Sequence, residues 1–152
     1  MEYVEIILED IQTEYLEQLL NEILEYDNSG IISSHFYDKK NNRDTEYQDI
    51  KDFKDYFCDS GTGSLFLEKV ELGIKLKQVV IIISWNVELG DITIHFPEKQ
   101  FMSFASRELH EHLRTLLRAL LEIQKNFDVE NITIGYEPAG DDSVELGAYP
   151  NL

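Results

Sequence analysis

Gln78-Val79-Val80-Ile81-Ile82-Ile83-Ser84-Trp85 is the stretch that decides the fold of this 152-residue chain. Five consecutive β-branched residues, Val79 to Ile83, favour an extended backbone over a helix. The run is apolar on both of its alternating faces, which predicts a central strand covered on both sides. It is also far too short for the ~20 residues that a bilayer-spanning helix needs. Downstream, Glu88-Leu89-Gly90-Asp91 reads as a turn into Ile92–Phe96, where Ile92, Ile94 and Phe96 alternate with Thr93 and His95. That pattern is a hairpin, and Pro97 stops the returning strand. Upstream, Asp59 to Ser64 reads as a loop and Leu65 to Val70 as another strand.

Farther out, the period changes. Leu109, Leu113, Leu116, Leu120, Ile123 and Phe127 recur at spacings of four and three, predicting a long helix from Ser103 or Ser106 to about Asn126. A second helix is predicted over Ile11 to Tyr26, capped by Asp10 or Thr13, with Ile11, Tyr15, Leu16, Leu19, Leu20, Ile23 and Leu24 on its apolar stripe. A short third helix fits Asp49 to Phe57. Strands are predicted at Tyr3–Leu8, Ile31–Tyr37, Asp44–Tyr47 and Asn131–Tyr136, with a turn at Lys39–Asn42. The expected class is α+β: a mostly antiparallel sheet of about five to six strands against two longer helices and one short helix. Residues 1–152 read as a single domain, with 138–152 as a mobile acidic tail.

Composition narrows the function. A hydrophobic content of 43% supports a packed core, and the single cysteine, Cys58, excludes an internal disulfide and points to a reducing compartment. The acidic first ten residues do not fit a secretory signal, so the expected location is cytoplasmic. The formal charge is −17. A chain so acidic repels nucleic-acid backbones and anionic lipid, and it steers basic proteins toward itself. Residues 1–27 hold nine acids and residues 128–152 hold six, with no Lys or Arg in either stretch. The centre, 28–127, nets only −2.

Motifs for chemistry fall short. His110-Glu111 starts a zinc-protease pattern, but Arg114 stands where the second imidazole is needed. Gly61-Thr62-Gly63-Ser64 lacks the Gly-Lys-Ser/Thr ending of a phosphate loop. Asp141, Asp142 and Glu145 lack the spacing of a calcium loop and read as a solvated tail. His35, His95 and Cys58 have no partner identifiable from sequence. No catalytic residue, metal or cofactor is expected.

In size, acidity and α+β character the whole chain resembles the small acidic immunity proteins of bacterial polymorphic-toxin and contact-dependent-inhibition systems. The resemblance implies a non-enzymatic inhibitor made beside a toxin, which it binds and whose active site it blocks. A nuclease, with its basic groove, is the example that suits the charge. The charge map then assigns the contact surface: Glu14, Glu17, Glu22 and Glu25 on the wet face of the first helix, Tyr26 and Asp27 at its end, and Asp141, Asp142 and Glu145 from the tail. Acids would raise the association rate, and aromatic anchors would hold the complex. Two other readings stay open. One is a small enzyme or ligand-binding domain with a pocket around His35, His95 or Cys58. The other is a structural subunit that oligomerises through Val79–Trp85.

Overall fold

A computed structural model describes residues 2–24, 30–38, 42–102, 106–136 and 144–145. The chain runs β1 (Tyr3–Gln12), α1 (Thr13–Ile23), β2 (Ile31–Asp38), β3 (Arg43–Thr45), α2 (Phe53–Tyr56), β4 (Gly61–Leu72), β5 (Ile74–Trp85), β6 (Leu89–Pro97), α3 (Lys99–Met102), α4 (Ser106–Phe127), β7 (Asn131–Tyr136) and β8 (Val144–Glu145). A 3-10 turn at Tyr47–Asp49 links β3 toward α2. All the strands join one antiparallel sheet in the order β3-β2-β4-β5-β6-β1-β7-β8.

The α+β class and the antiparallel sheet are as the sequence implied. The strand number is larger than the expected five or six, because the very short β3 and β8 extend the two edges. Two longer helices are present, and α3 adds a second short one. The Lys39–Asn41 part of the predicted turn, Ser103 and most of the acidic tail lie outside the described residues.

Alternation along the strands builds the core. Ile6 and Leu8 of β1, Leu65 and Leu67 of β4, Ile81 and Ile83 of β5, and Ile92 and Ile94 of β6 all point to one face and are buried. There they meet Leu16, Leu19, Leu20 and Ile23 of α1 and Leu116, Leu120 and Ile123 of α4. Among the described residues nothing buries the other face of the sheet in the same way: Ile82 is 42% exposed and Phe66 41%, so the doubly apolar β5 is central in strand order but, among the described residues, covered on only one side.

Three local departures have physical causes. β1 does not end at Leu8; a bulge at Asp10, with φ 57, carries it to Gln12. The Asp10 N–H donates to the Asp91 carboxylate at 2.9 Å, so Asp10 caps no helix. Ile11 is consequently a strand residue of the core. Gly61 to Ser64 is strand, not loop. A side chain at Gly63 would place Cβ 2.3 Å from the Phe36 ring, and one at Gly61 would sit 2.6 Å from Trp85. The glycines clear room for two aromatic rings in the core. The turn into β6 lies at Asn86–Glu88, where the Asn86 side chain accepts from the N–H groups of Glu88 and Leu89.

The helix expected over Asp49–Phe57 shrinks to Phe53–Tyr56, capped by Asp52, whose side chain accepts from the Asp55 N–H at 3.0 Å. A single turn of helix is unstable alone. Rings hold it instead: Phe57 meets Trp85 edge-on at 4.8 Å, Tyr56 lies 5.5 Å from Trp85, and Phe53 lies 5.2 Å from Tyr47.

Candidate functional site

α1 lies on the core face of the sheet with its apolar stripe buried. That leaves Glu14, Glu17, Gln18 and Glu22 exposed together on the opposite side. Among the described residues no ion pair holds any of the three glutamates. Glu22 stands in the last turn, where the negative end of the helix dipole disfavours a carboxylate, and that turn holds no base. The helix is thus not arranged for its own stability. Beside it, Glu22, Glu71 and Glu122 line a groove of about 540 Å³ with Leu72, Ile123 and Phe127 in its apolar part.

A second acidic surface adjoins the first. Tyr47 is 2% exposed and bridges them. Its hydroxyl donates to Asn21 Oδ1 of α1 at 3.4 Å, and its N–H donates to the buried Ser34 hydroxyl at 2.8 Å. Ser34 in turn donates to the Glu46 carboxylate at 2.6 Å, which fixes that acid in place. Burial, followed by the nearby Glu17 charge, pushes the Tyr47 hydroxyl from its ordinary 10.0 up to about 12. Because the folded state holds the proton more tightly than the unfolded chain, this contribution to stability is complete below pH 10. It disappears as the pH climbs through about 12. Tyr47→Phe should therefore gain stability relative to the parent as the solution becomes alkaline, which denaturation curves at about pH 9 and about pH 11 would measure.

Past Tyr47 the chain forms a half-open cleft of about 730 Å³ between β3 and α2. Asp44, Glu46, Asp49, Asp52, Asp55 and Asp59 line it, against Arg43 and Lys51. Tyr37, Tyr56 and Trp85 supply aromatic wall. The Tyr56 hydroxyl donates to the Tyr37 carbonyl at 2.8 Å, and the Tyr37 hydroxyl donates to Asn42. Trp85 is 5% exposed, and its indole N–H is buried with no acceptor among the described residues.

Of the residues assigned from sequence, Glu14, Glu17 and Glu22 come together. Glu145 lies on β8, paired with Thr133 at the sheet edge opposite β3. Glu25, Tyr26, Asp27, Asp141 and Asp142 lie outside the described residues. The cleft acids were missed because a balanced average over 28–127 hides a local excess. Asp49, Asp52 and Asp55, three apart and interleaved with Phe53, Tyr56 and Phe57, were the available signal.

The residues of the enzyme reading do not converge. His35 is exposed and meets Phe66 edge-on at 6.5 Å, His95 lies 4.0 Å from Glu5, and Cys58 is exposed. None of the three lines either hollow. Among the described residues no group of three or more His, Cys, Asp or Glu could hold a metal, and no helix is long and apolar enough to cross a membrane.

Comparison with known proteins brings in a family and two folds. Residues 2–147 match the family described as PABL017 Cdi1I immunity protein. A chain from the crystal structure of the toxic C-terminal tip of CdiA from Pseudomonas aeruginosa in complex with immune protein superposes with a TM-score of 0.68 at 20% identity. That match covers 95% of this chain and 92% of the other. The Pseudomonas aeruginosa T6SS protein PA0821 shares the fold at a TM-score of 0.54 and 10% identity over 90% of this chain, which spans 40% of that protein. No curated protein matches the sequence.

Proposed function

The chain belongs to the PABL017 Cdi1I immunity protein family, and on that premise we propose that it neutralises a cognate CdiA-type toxin by docking its acidic surface onto a cationic surface of that toxin. An immunity protein acts by binding and not by catalysis. The observation that carries the reading is the set of glutamates on α1, exposed together and free of ion pairs with described bases. Such a surface loses little when a partner's lysines and arginines displace water from it, and long-range attraction speeds the encounter. Glu25, Tyr26 and Asp27, next in sequence after α1, extend the contact in this reading, as do Asp141, Asp142 and Glu145 of the tail. A toxin that acts on nucleic acid needs a basic groove for phosphates. Carboxylates seated in that groove would occlude its active site.

Support comes also from the solved complex whose fold the chain shares, in which a CdiA toxin tip is held with an immune protein. The test is protection. Cells producing the toxin encoded beside this chain should grow when the chain is co-produced, and the two proteins should co-purify. Growth arrest despite abundant, folded chain would reject the assignment of that toxin as partner.

A further inference from the structure

We propose that the open face of the sheet pairs two copies of this chain, weakly and reversibly, through the outward-facing half of the Val79–Ile83 run. The proposal stands apart from the toxin-binding reading and uses the side of the sheet away from α1 and α4.

Strand register builds this surface. Residues directly opposite one another on neighbouring strands share a face. One row runs Ser33, Phe66 and Val80, and the next runs His35, Ser64, Ile82 and Thr93. Leu65, Leu67, Ile81 and Ile83 alternate with these residues and fill the core, so the two rows lie on the open side. Phe66 stands opposite Val80 and therefore diagonal to Ile82, a spacing that large side chains bridge. The His35 ring meets Phe66 edge-on at 6.5 Å and borders the patch on β2. At the other end of the first row, His95 lies 4.0 Å from Glu5.

Three features select a second copy as the occupant. First, neither row holds a Lys, Arg, Asp or Glu from Ser33 to Val80 or from His35 to Thr93, in a chain with thirty acids among 152 residues. Centres of protein interfaces are depleted in charge in this way. A cationic toxin finds its complement on α1, whereas an uncharged apolar patch is complementary to itself under a two-fold axis. Second, twisted antiparallel sheets pack face to face about 10 Å apart, so the same patch fits its own copy. Third, α1 packs on the core face, so pairing through the open face turns both acidic helices outward and keeps them apart. Size sets the strength. Four strands about 4.8 Å apart make a patch about 15–20 Å across. That is small beside the roughly 800 Å² per partner of a stable complex, and it places the pair in the weak class below about 1,200 Å² in total.

Sedimentation equilibrium from about 10 μM to about 1 mM should show monomer and dimer, with a dissociation constant on the order of 100 μM. The dimer should tighten at least about tenfold between 0.05 M and 1 M salt, because screening removes the repulsion between two chains of charge −17. Toxin association should respond to salt with the opposite sign. Phe66→Thr with Ile82→Thr keeps the preference for strand and should weaken the dimer at least about tenfold. Glu14→Gln, Glu17→Gln and Glu22→Gln together should pair at least as tightly as the parent. A monomer at about 1 mM in 1 M salt, a dimer that the double variant retains, or a dimer that the glutamine variant loses would overturn the proposal. So would a folded double variant that stays monomeric like its parent but no longer binds toxin, since the toxin would then be the occupant. A dimer with these properties in a chain that protects against no toxin leaves the pairing standing and rejects the toxin assignment.

Discussion

Phe36→Ala should lower the stability of the fold by about 3–5 kcal/mol, the usual loss when a fully buried aromatic ring is deleted. Phe36 is completely buried on the core face of β2. Its ring fills the space left by Gly63 and lies 5.7 Å from Tyr47, 6.1 Å from Tyr56 and 6.4 Å from Trp85. A domain of ordinary stability, about 5–15 kcal/mol, would lose a large share of it, and its melting temperature should fall by about 10 °C. Thermal denaturation followed by far-UV circular dichroism checks the size of the effect. The same ring cluster anchors α2 and the cleft wall, so Trp85 emission in the folded variant should shift as well. A variant within about 1 kcal/mol of the parent would mean that the cluster collapses around the cavity without loss.

Replacing Glu14, Glu17 and Glu22 by glutamine should slow association with the cognate toxin at least about tenfold at low salt. Stability should change little, because the three carboxylates are exposed and Glu22 opposes its own helix dipole. The dissociation rate should move much less, since rim charges chiefly guide encounter while desolvated anchors govern release. Stopped-flow mixing gives both rates. An unchanged association rate in a folded triple variant would remove α1 from the interface.

Long periodic segments were legible in the sequence. The leucine spacing of α4 and the alternation in β6 each write a single period over many residues, and the structure follows them. Segments fixed by distant partners were not legible. Gly61-Thr62-Gly63-Ser64 has loop composition, yet it becomes strand because Phe36 and Trp85 require the space that glycine leaves. Asp10 has the composition of a helix cap, yet the Asp91 carboxylate 81 positions away recruits its N–H into a bulge. Val80 and Ile82 read as covered on both sides because the sequence alone cannot report that both major helices pack on the same face. The candidate surface divides in the same way. The acids of α1 could be found by helical spacing, whereas the cleft acids are gathered by aromatic contacts among Tyr47, Phe53, Tyr56, Phe57 and Trp85.

The central claim, that an exposed anionic surface recognises a cationic toxin, is tested most directly by the association rate of the unmodified chain as ionic strength is raised. Screening shortens the reach of charge from about 30 Å at 0.01 M salt to about 8 Å at 0.15 M. The account predicts a steep fall in rate across that range, converging on the slower rate of the α1 triple variant at high salt. A rate that stays flat with salt, equal for parent and variant throughout, would contradict it.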